Sequence, residues 1–343
     1  MSQVEMSAPI SVIDGTGRFG NYGWARSPLY SYDSSLQWSR SRRIIASDRY
    51  IVISPTHLVS MEILDTGALG IVGISVVSLL DNKRSSHSYT TPYPLGRFGL
   101  PDSSEDGGVR VVTRRFGMVE FVPMSGGVRI LKIDIPRFGR RRSLRGALVL
   151  TPPPDGESLV THTPMALDEK AFMLSRRSPW YIAEGVMQHG KNELVFSQGN
   201  SWGVFDWNRG CRSKLDVHYW ATACGMAEDQ QAALSIGYGL GDSSLGTENA
   251  FFLDGRIHKL DQVTFHISPT NWLEPWRFTS NDNRLEMNFI PSQERTERHR
   301  MFFHTLNRRQ VFGAFSGTVV LDDGAEFAFT DLTGFAERRK MQF

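Results

Sequence analysis

The sequence predicts an all-β fold of two barrel or sandwich lobes in tandem. Three observations carry that expectation. Runs of β-branched and aromatic residues alternate with Gly-, Asp- and Pro-containing turns along most of the chain. No segment keeps a helical apolar period for more than about a dozen residues. A run of three prolines stands near the middle.

Taken in order, residues 109–112 and 118–122 lead to Gly126-Gly127 and residues 128–135, β runs across a glycine pair that read as a hairpin. Thr151-Pro152-Pro153-Pro154-Asp155-Gly156 reads as a linker, because consecutive prolines stiffen and extend a chain. The lobes then cover residues 1–165 and 166–343, each with room for about eight strands, around packed side chains or one small ligand. Residues 251–253, Asp254-Gly255 and residues 256–260 form a second hairpin, Asp-Gly supplying the positive φ angles of a tight turn. Asp322-Asp323-Gly324 punctuates a third, between residues 318–321 and 326–329. Helical expectations are confined to Ala227–Ala233 and Asp168–Leu174.

Composition narrows the function classes. With 40% hydrophobic and 22% charged residues, the chain has the material for a globular core. A net charge of +2 gives no reason to expect nucleic acid as a partner. The cluster Arg137, Arg140, Arg141, Arg142 and Arg145 reads as a solvated hairpin end rather than a phosphate site. No secretory signal is recognisable at the start, and the apolar run at 70–80 is too short and too interrupted to cross a bilayer. A cytoplasmic protein without an integral membrane segment is expected, its two cysteines, Cys211 and Cys224, free thiols. His299 and His304 lack an HExxH pattern or a carboxylate cluster, so no metal is expected. The glycine-rich stretch 237–246 precedes a strand signal at Thr247 instead of the helix a dinucleotide site needs, and reads as a loop at a barrel mouth. A GxSxG elbow is absent, and no cofactor is expected.

Candidate site residues stand where polar groups interrupt β-rich runs, because burying such groups is costly unless they are partnered or lie in a polar site. In Val204-Phe205-Asp206-Trp207-Asn208-Arg209-Gly210, Asp206 and Asn208 share one strand face and Phe205, Trp207 and Arg209 the other. Asp206 is a candidate proton donor and Arg209 a candidate anion anchor; the alternative is an Asp–Arg pair tying strands together. His218, Trp220 and Thr222 share a face of the next strand, an aromatic wall with one titratable group. In Thr247-Glu248-Asn249-Ala250, Glu248 and Asn249 point to opposite sides if extended. Desolvation would raise the Glu248 pKa and make it an acid, unless an arginine pairs with it.

These segments resemble the domain-of-unknown-function 2804 family nearly end to end. The resemblance rests on Gly20-Asn21-Tyr22-Gly23-Trp24-Ala25-Arg26-Ser27-Pro28-Leu29, on 205–210 with Tyr219-Trp220-Ala221, and on 247–250 with 254–260. Pro275-Trp276 and Gln310-Val311-Phe312-Gly313 before Phe315-Ser316-Gly317 complete it. One departure is Ser175-Arg176-Arg177, where a lysine is expected after a threonine-like position; if that lysine meets ligand in relatives, Arg176 alters specificity here. More distantly the chain is similar to double-lipocalin proteins such as carotenoid hydratases, tocopherol cyclases and fungal Diels–Alderases. That likeness implies lipocalin-like lobes and an apolar substrate handled without a redox cofactor, although fold does not fix function.

The expectation is thus a cofactor-independent enzyme that hydrates, cyclises or isomerises a C=C bond of an isoprenoid or polyketide-like molecule. Asp206 or Glu248 would supply the proton, Arg209 would set which stays ionised, and His218 would shuttle protons. Trp207, Trp220, Trp276, Asn249 and Arg176 would shape the cavity or touch substrate. The alternatives are a carrier for a lipid-like ligand, which needs no acid, and a protein-interaction scaffold. The oligomeric state is left open.

Overall fold

The computed structural model describes residues 3–14, 18–37, 44–81, 83–139, 142–165, 171–211, 215–302 and 304–342. The fold is all-β: a 13-stranded sheet, a nine-stranded sheet, and a short parallel pair of Ile10–Ser11 with Tyr30–Ser31. The chain divides into two compact units. The first comprises Met1–Ser31, Gly156–Trp180 and Gly210–Phe343, the second Tyr32–Asp155 and Tyr181–Arg209. One boundary falls inside the proline-rich segment, yet residues 181–209 return to the unit of the sequence's first half.

In the second unit, Ile44–Ile53, His57–Asp65, Leu69–Ser78 and Arg84–Pro92 form one antiparallel meander. Val109–Thr113, Gly117–Pro123, Arg129–Phe138 and Arg142–Thr151 form another. Tyr181–His189 of the strand Phe172–His189 and Trp202–Arg209 of the strand Trp202–Cys211 run between them, which leaves Arg84–Pro92 and Val109–Thr113 at the two sheet edges. These edge strands are consecutive in sequence, joined by residues 93–108, and the sheet is curled. Tyr50 stacks on Phe205 at 4.7 Å and meets Phe121 edge-on at 4.8 Å. Since Tyr50 and Phe121 belong to different meanders, their contact crosses the concave interior.

The nine-stranded sheet of the first unit follows the same logic. Leu215–Ala227 pairs with Gln230–Tyr238 and also with the last strand, Glu326–Gln342. The edges are Arg256–Lys259 and Val263–His266, linked by residues 260–262 alone. Such a link spans no more than about 14 Å, so this sheet must curl as well. Its interior is filled: Phe251, Trp276, Phe278, Phe289 and Phe315 belong to one packed core, Phe289 and Phe315 stacking at 4.3 Å.

Local turn chemistry worked as expected at Asp254-Gly255, both residues having positive φ, 46° and 78°. Arg137, Arg142 and Arg145 stand exposed at one hairpin, Arg145 bonded to Asp134 at 2.7 Å, while Arg140 and Arg141 lie outside the described residues. The helix expected at Ala227–Ala233 is a correction. Glu228 and Asp229, with φ of 49° and 65°, make a tight turn, and Gln230–Tyr238 runs back along Leu215–Ala227. Alanine's helix propensity is a weak prior, and here Ala223, Ala227 and Ala232 supply the small volumes that fit between aromatic side chains of the core. The second expected helix is likewise a strand from Phe172 onward; Asp168–Lys170 lie outside the described residues. The strand expected at Thr247 begins at Ala250. Among the described residues no helix is long and apolar enough to cross a membrane.

Candidate functional site

The sequence-predicted residues fall into two clusters, one in each unit. In the second unit, Trp202–Cys211 alternates as expected: Asn208 Nδ2 donates to Asp206 Oδ1 at 2.7 Å on one face, and the Arg209 guanidinium lies 4.5 Å over the Trp207 ring on the other. The ion pairing differs from expectation. Arg209 pairs with Asp48 at 2.8 Å, whereas Asp206 faces Arg49 at 3.4 Å. Arg209 also donates from Nε and Nη2 to Pro101 O, and from Nη1 to Ser47 O and Asn208 O. All five N–H groups are therefore used, and none is left to anchor an anion. Asp206 is bonded to Asn208 and lies beside Arg49 as a buried ion pair.

In the first unit, Leu215–Ala227 presents His218 and Trp220 to a buried polar group formed by the turn before Ala250. His218 Nε2 lies 2.6 Å from Glu248 Oε2, and Arg177 Nη2 lies 3.4 Å from Glu248 Oε1. All three side chains are buried to within 3% of full exclusion. Arg339 is the cross-strand partner of His218. Burial would push the Glu248 carboxyl up, but His218, Arg177 and Arg339 outweigh it and hold the pKa down at about 2. Of the two sequence readings of Glu248, the geometry matches the one in which an arginine pairs with it, and the carboxyl is held low rather than raised. With Glu248 ionised, His218 donates from Nε2 to Glu248 Oε2.

The surroundings hold this pair in place. Arg177 lies 5.1 Å over the Trp220 ring, whose Nε1 donates to Ser235 Oγ at 3.0 Å. Asn249 accepts from Gly237 N at 2.8 Å and donates to Asp261 O at 2.8 Å, a bracket between loops. Lys259 donates to Thr247 Oγ1, to Asn249 O at 3.0 Å and to Leu260 O at 2.8 Å. Burial lowers its pKa to about 7 despite the opposing field of Asp261, Asp282 and Glu248. Gly237 has the tightest role. A Cβ there would lie 3.1 Å from Glu248 Oε2 and 3.2 Å from His218 Nε2. Gly237→Ala is expected to cost about 1–3 kcal/mol by overpacking, read in urea unfolding, with a shifted His218 imidazole resonance by NMR.

Trp276 belongs to the packed core, its ring 5.2 Å from Trp272. Arg176 donates to Ser158 Oγ at 3.1 Å, on the strand face opposite Arg177. The arginine on Glu248 is the next residue, Arg177. Arg339 carried no local signal, and Gly237 and Lys259 stood only within longer motifs, since their partners come from other strands and loops.

Known proteins with this architecture include a protein provisionally assigned as AttH from Nitrosomonas europaea (TM-score 0.52, 12% identity, covering 86% of this chain and 92% of that one). Kievitone hydratase from Nectria haematococca gives a TM-score of 0.51 at 10% identity, covering 90% of this chain and 93% of the other. At such identities the likeness shows the fold, an all-β pair of lipocalin-like curled sheets. No curated protein matches the chain significantly in sequence. The family model for the domain of unknown function DUF2804 matches residues 3–343, and the chain belongs to that family.

Proposed function

We propose that the chain is a cofactor-independent enzyme of the cytoplasm that moves a proton onto or off a C=C bond of an apolar small molecule, by hydration, cyclisation or isomerisation. The observation that carries this reading is the buried His218–Glu248 pair with Arg177 on the second carboxylate oxygen. Glu248 fixes the imidazole orientation and balances its charge when protonated, which leaves Nδ1 as the nitrogen that gives and takes the proton. Trp220, packed under Arg177, lends an aromatic wall beside it. The proton donor is thereby His218, and Glu248 its anchor. A protein named kievitone hydratase shares the fold, and kievitone is a reasonable first compound.

The test is incubation with kievitone and a panel of isoprenoid and polyketide alkenes in deuterated water, followed by mass spectrometry for added water or deuterium. His218→Asn is expected to lower turnover by about a hundredfold or more. Undiminished turnover in that variant would reject the assignment. The second reading, a carrier, is favoured by the second unit, where Asp206 and Asp48 are both paired with arginines. Native mass spectrometry that finds a stoichiometric apolar ligand, unchanged after prolonged incubation, would favour the carrier.

A further inference from the structure

The two edge strands of the second unit do not pair with each other. Among the described residues, Arg84–Pro92 pairs only with Leu69–Ser78, and Val109–Thr113 only with Gly117–Pro123. The edges are pinned at one end, where His87 stacks on Phe116 at 5.2 Å and Gly139 lies against Ser85. Further along, they line a cavity of about 300 Å³ that is open to solvent. That size is at the lower end of small-molecule pockets, roughly 300–1,000 Å³.

The lining is graded. Pro94 and Val111 are buried, Tyr89 and Phe98 half-buried, and Arg97 and Arg110 exposed. Apolar and aromatic groups thus form its depth and two guanidiniums its rim, and no carboxylate belongs to the lining. Neither arginine is well neutralised. The Arg97 side chain has no hydrogen bond or ion pair among the described residues. Arg110 stands 3.8 Å from Glu120, which Lys132 shares at 3.4 Å. The loop that carries Arg97 is fixed from below. Buried Asp65 accepts from Gly67 N and Gly96 N, both at 2.7 Å, and Tyr93 N donates to Ala68 O at 2.9 Å. Phe98 and Pro94 sit on Gly70, where a Cβ would come within 2.8 and 2.9 Å of their rings. Tyr93 and Leu95 hold φ at 46° and 50°, a costly conformation for bulky side chains, of the kind that gathers at ligand clamps.

We propose that this opening binds a small amphipathic anion, an apolar chain ending in one carboxylate. The chain lies in the depth against Tyr89, Phe98 and Val111, and the carboxylate meets Arg97 and Arg110 at the rim. An extended peptide suits the opening less, because an added strand needs a free edge along its length and these edges are pinned at His87 and Phe116. The site belongs to a different unit from His218 and Glu248, so it stands or falls without them.

The probe is decanoate, titrated calorimetrically into the full chain at near-neutral pH, below its micelle-forming concentration. Saturable binding at one site is expected. Decan-1-ol, with the chain but no charge, and acetate, with the charge but no chain, should each bind at least about tenfold more weakly. Arg97→Gln should weaken decanoate about threefold, and Arg97→Gln combined with Arg110→Gln about tenfold, both side chains being exposed and screened by solvent. Thr91→Trp, which adds an indole to the lining, should remove binding. Circular dichroism checks that each variant is folded; the exposed arginine variants suffice if Thr91→Trp is not. His218→Asn should leave decanoate affinity unchanged, which separates this site from the proposed enzymatic one. Absence of decanoate binding, equal affinity for decan-1-ol or acetate, an affinity the double arginine variant does not lower, or its loss in His218→Asn overturns the assignment. So does a dimer in sedimentation that Val112→Lys dissociates, which would make the opening an edge-to-edge interface between two copies.

Discussion

Replacing Glu248 by glutamine is expected to destabilise the protein by about 3–5 kcal/mol at neutral pH, the cost of breaking a buried ion pair from one side. The carboxylate takes His218 on one oxygen and Arg177 on the other, with Arg339 opposite His218 in register. Its removal leaves cationic groups buried without their counter-charge. The cost arises from what is left behind, so Arg177→Met in the same chain should recover part of it. A double-mutant cycle on urea midpoints reads the coupling. Additive losses would mean that the 3.4 Å contact with Arg177 carries no energy.

The same carboxylate sets an acid limit. Its folded pKa, about 2, lies below the ordinary 4.5 because the His218 and arginine charges outweigh burial. A depressed carboxyl contributes fully above pH 4.5, and its contribution is lost as pH falls towards about 2. Glu248→Gln should therefore flatten stability only on that acid limb. A variant curve parallel to wild type below pH 4.5 would assign the acid limb to other groups.

The contrast between what was legible and what was not follows from range. Turns are local: Asp254-Gly255 announces its hairpin because two adjacent residues adopt positive φ. The span Ala227–Ala233 misled because its alanines are dictated by the aromatic side chains they face rather than by their own propensity. His218 and Glu248 are both recognisable as polar interruptions of apolar runs, but their contact is made by a loop folding back from Tyr238 to Ala250. No periodicity encodes that return. Arginine partners were the least legible of all. Asp48 with Arg209, Arg49 with Asp206 and Arg177 with Glu248 each join residues far apart in sequence, so the expected Asp206–Arg209 coupling chose neighbours in the chain over neighbours in the sheet. Several family-like motifs prove to be scaffold. Trp24 and Arg26 pack on one another, and Arg26 bonds Ile257 O at 2.8 Å, which ties the N-terminal segment to the Arg256–Lys259 strand.

That N-terminal segment also yields the second large effect, a loss of about 3 kcal/mol of stability as pH falls from 6.5 to about 4, traceable to His162. His162 is 1% exposed, opposite Gly23 in the Leu159–Pro164 strand, among the rings of Tyr22, Tyr30 and Phe172 at 4.7, 5.4 and 5.3 Å. Burial lowers its pKa to about 4, only partly offset by the backbone carbonyls of Asn21 and Gly20. Above pH 6.5 the ring is neutral folded or unfolded, and contributes nothing to the pH dependence. Below 6.5 the unfolded chain takes up a proton that the folded ring refuses, so stability falls until about pH 4, where both are charged. This window lies above that of Glu248, so the two groups are separable in one pH series. His162→Asn keeps a donor for Asn21 O but cannot titrate; its stability should be lower at neutral pH yet nearly flat from 6.5 to 4. Hydrogen-exchange protection factors at residues 20–25 should fall with acid in the wild type and not in the variant. An acid slope that survives His162→Asn would place the sensor elsewhere, whereas its loss would make the Asn21–Trp24 strap the first part of the molecule released by acid.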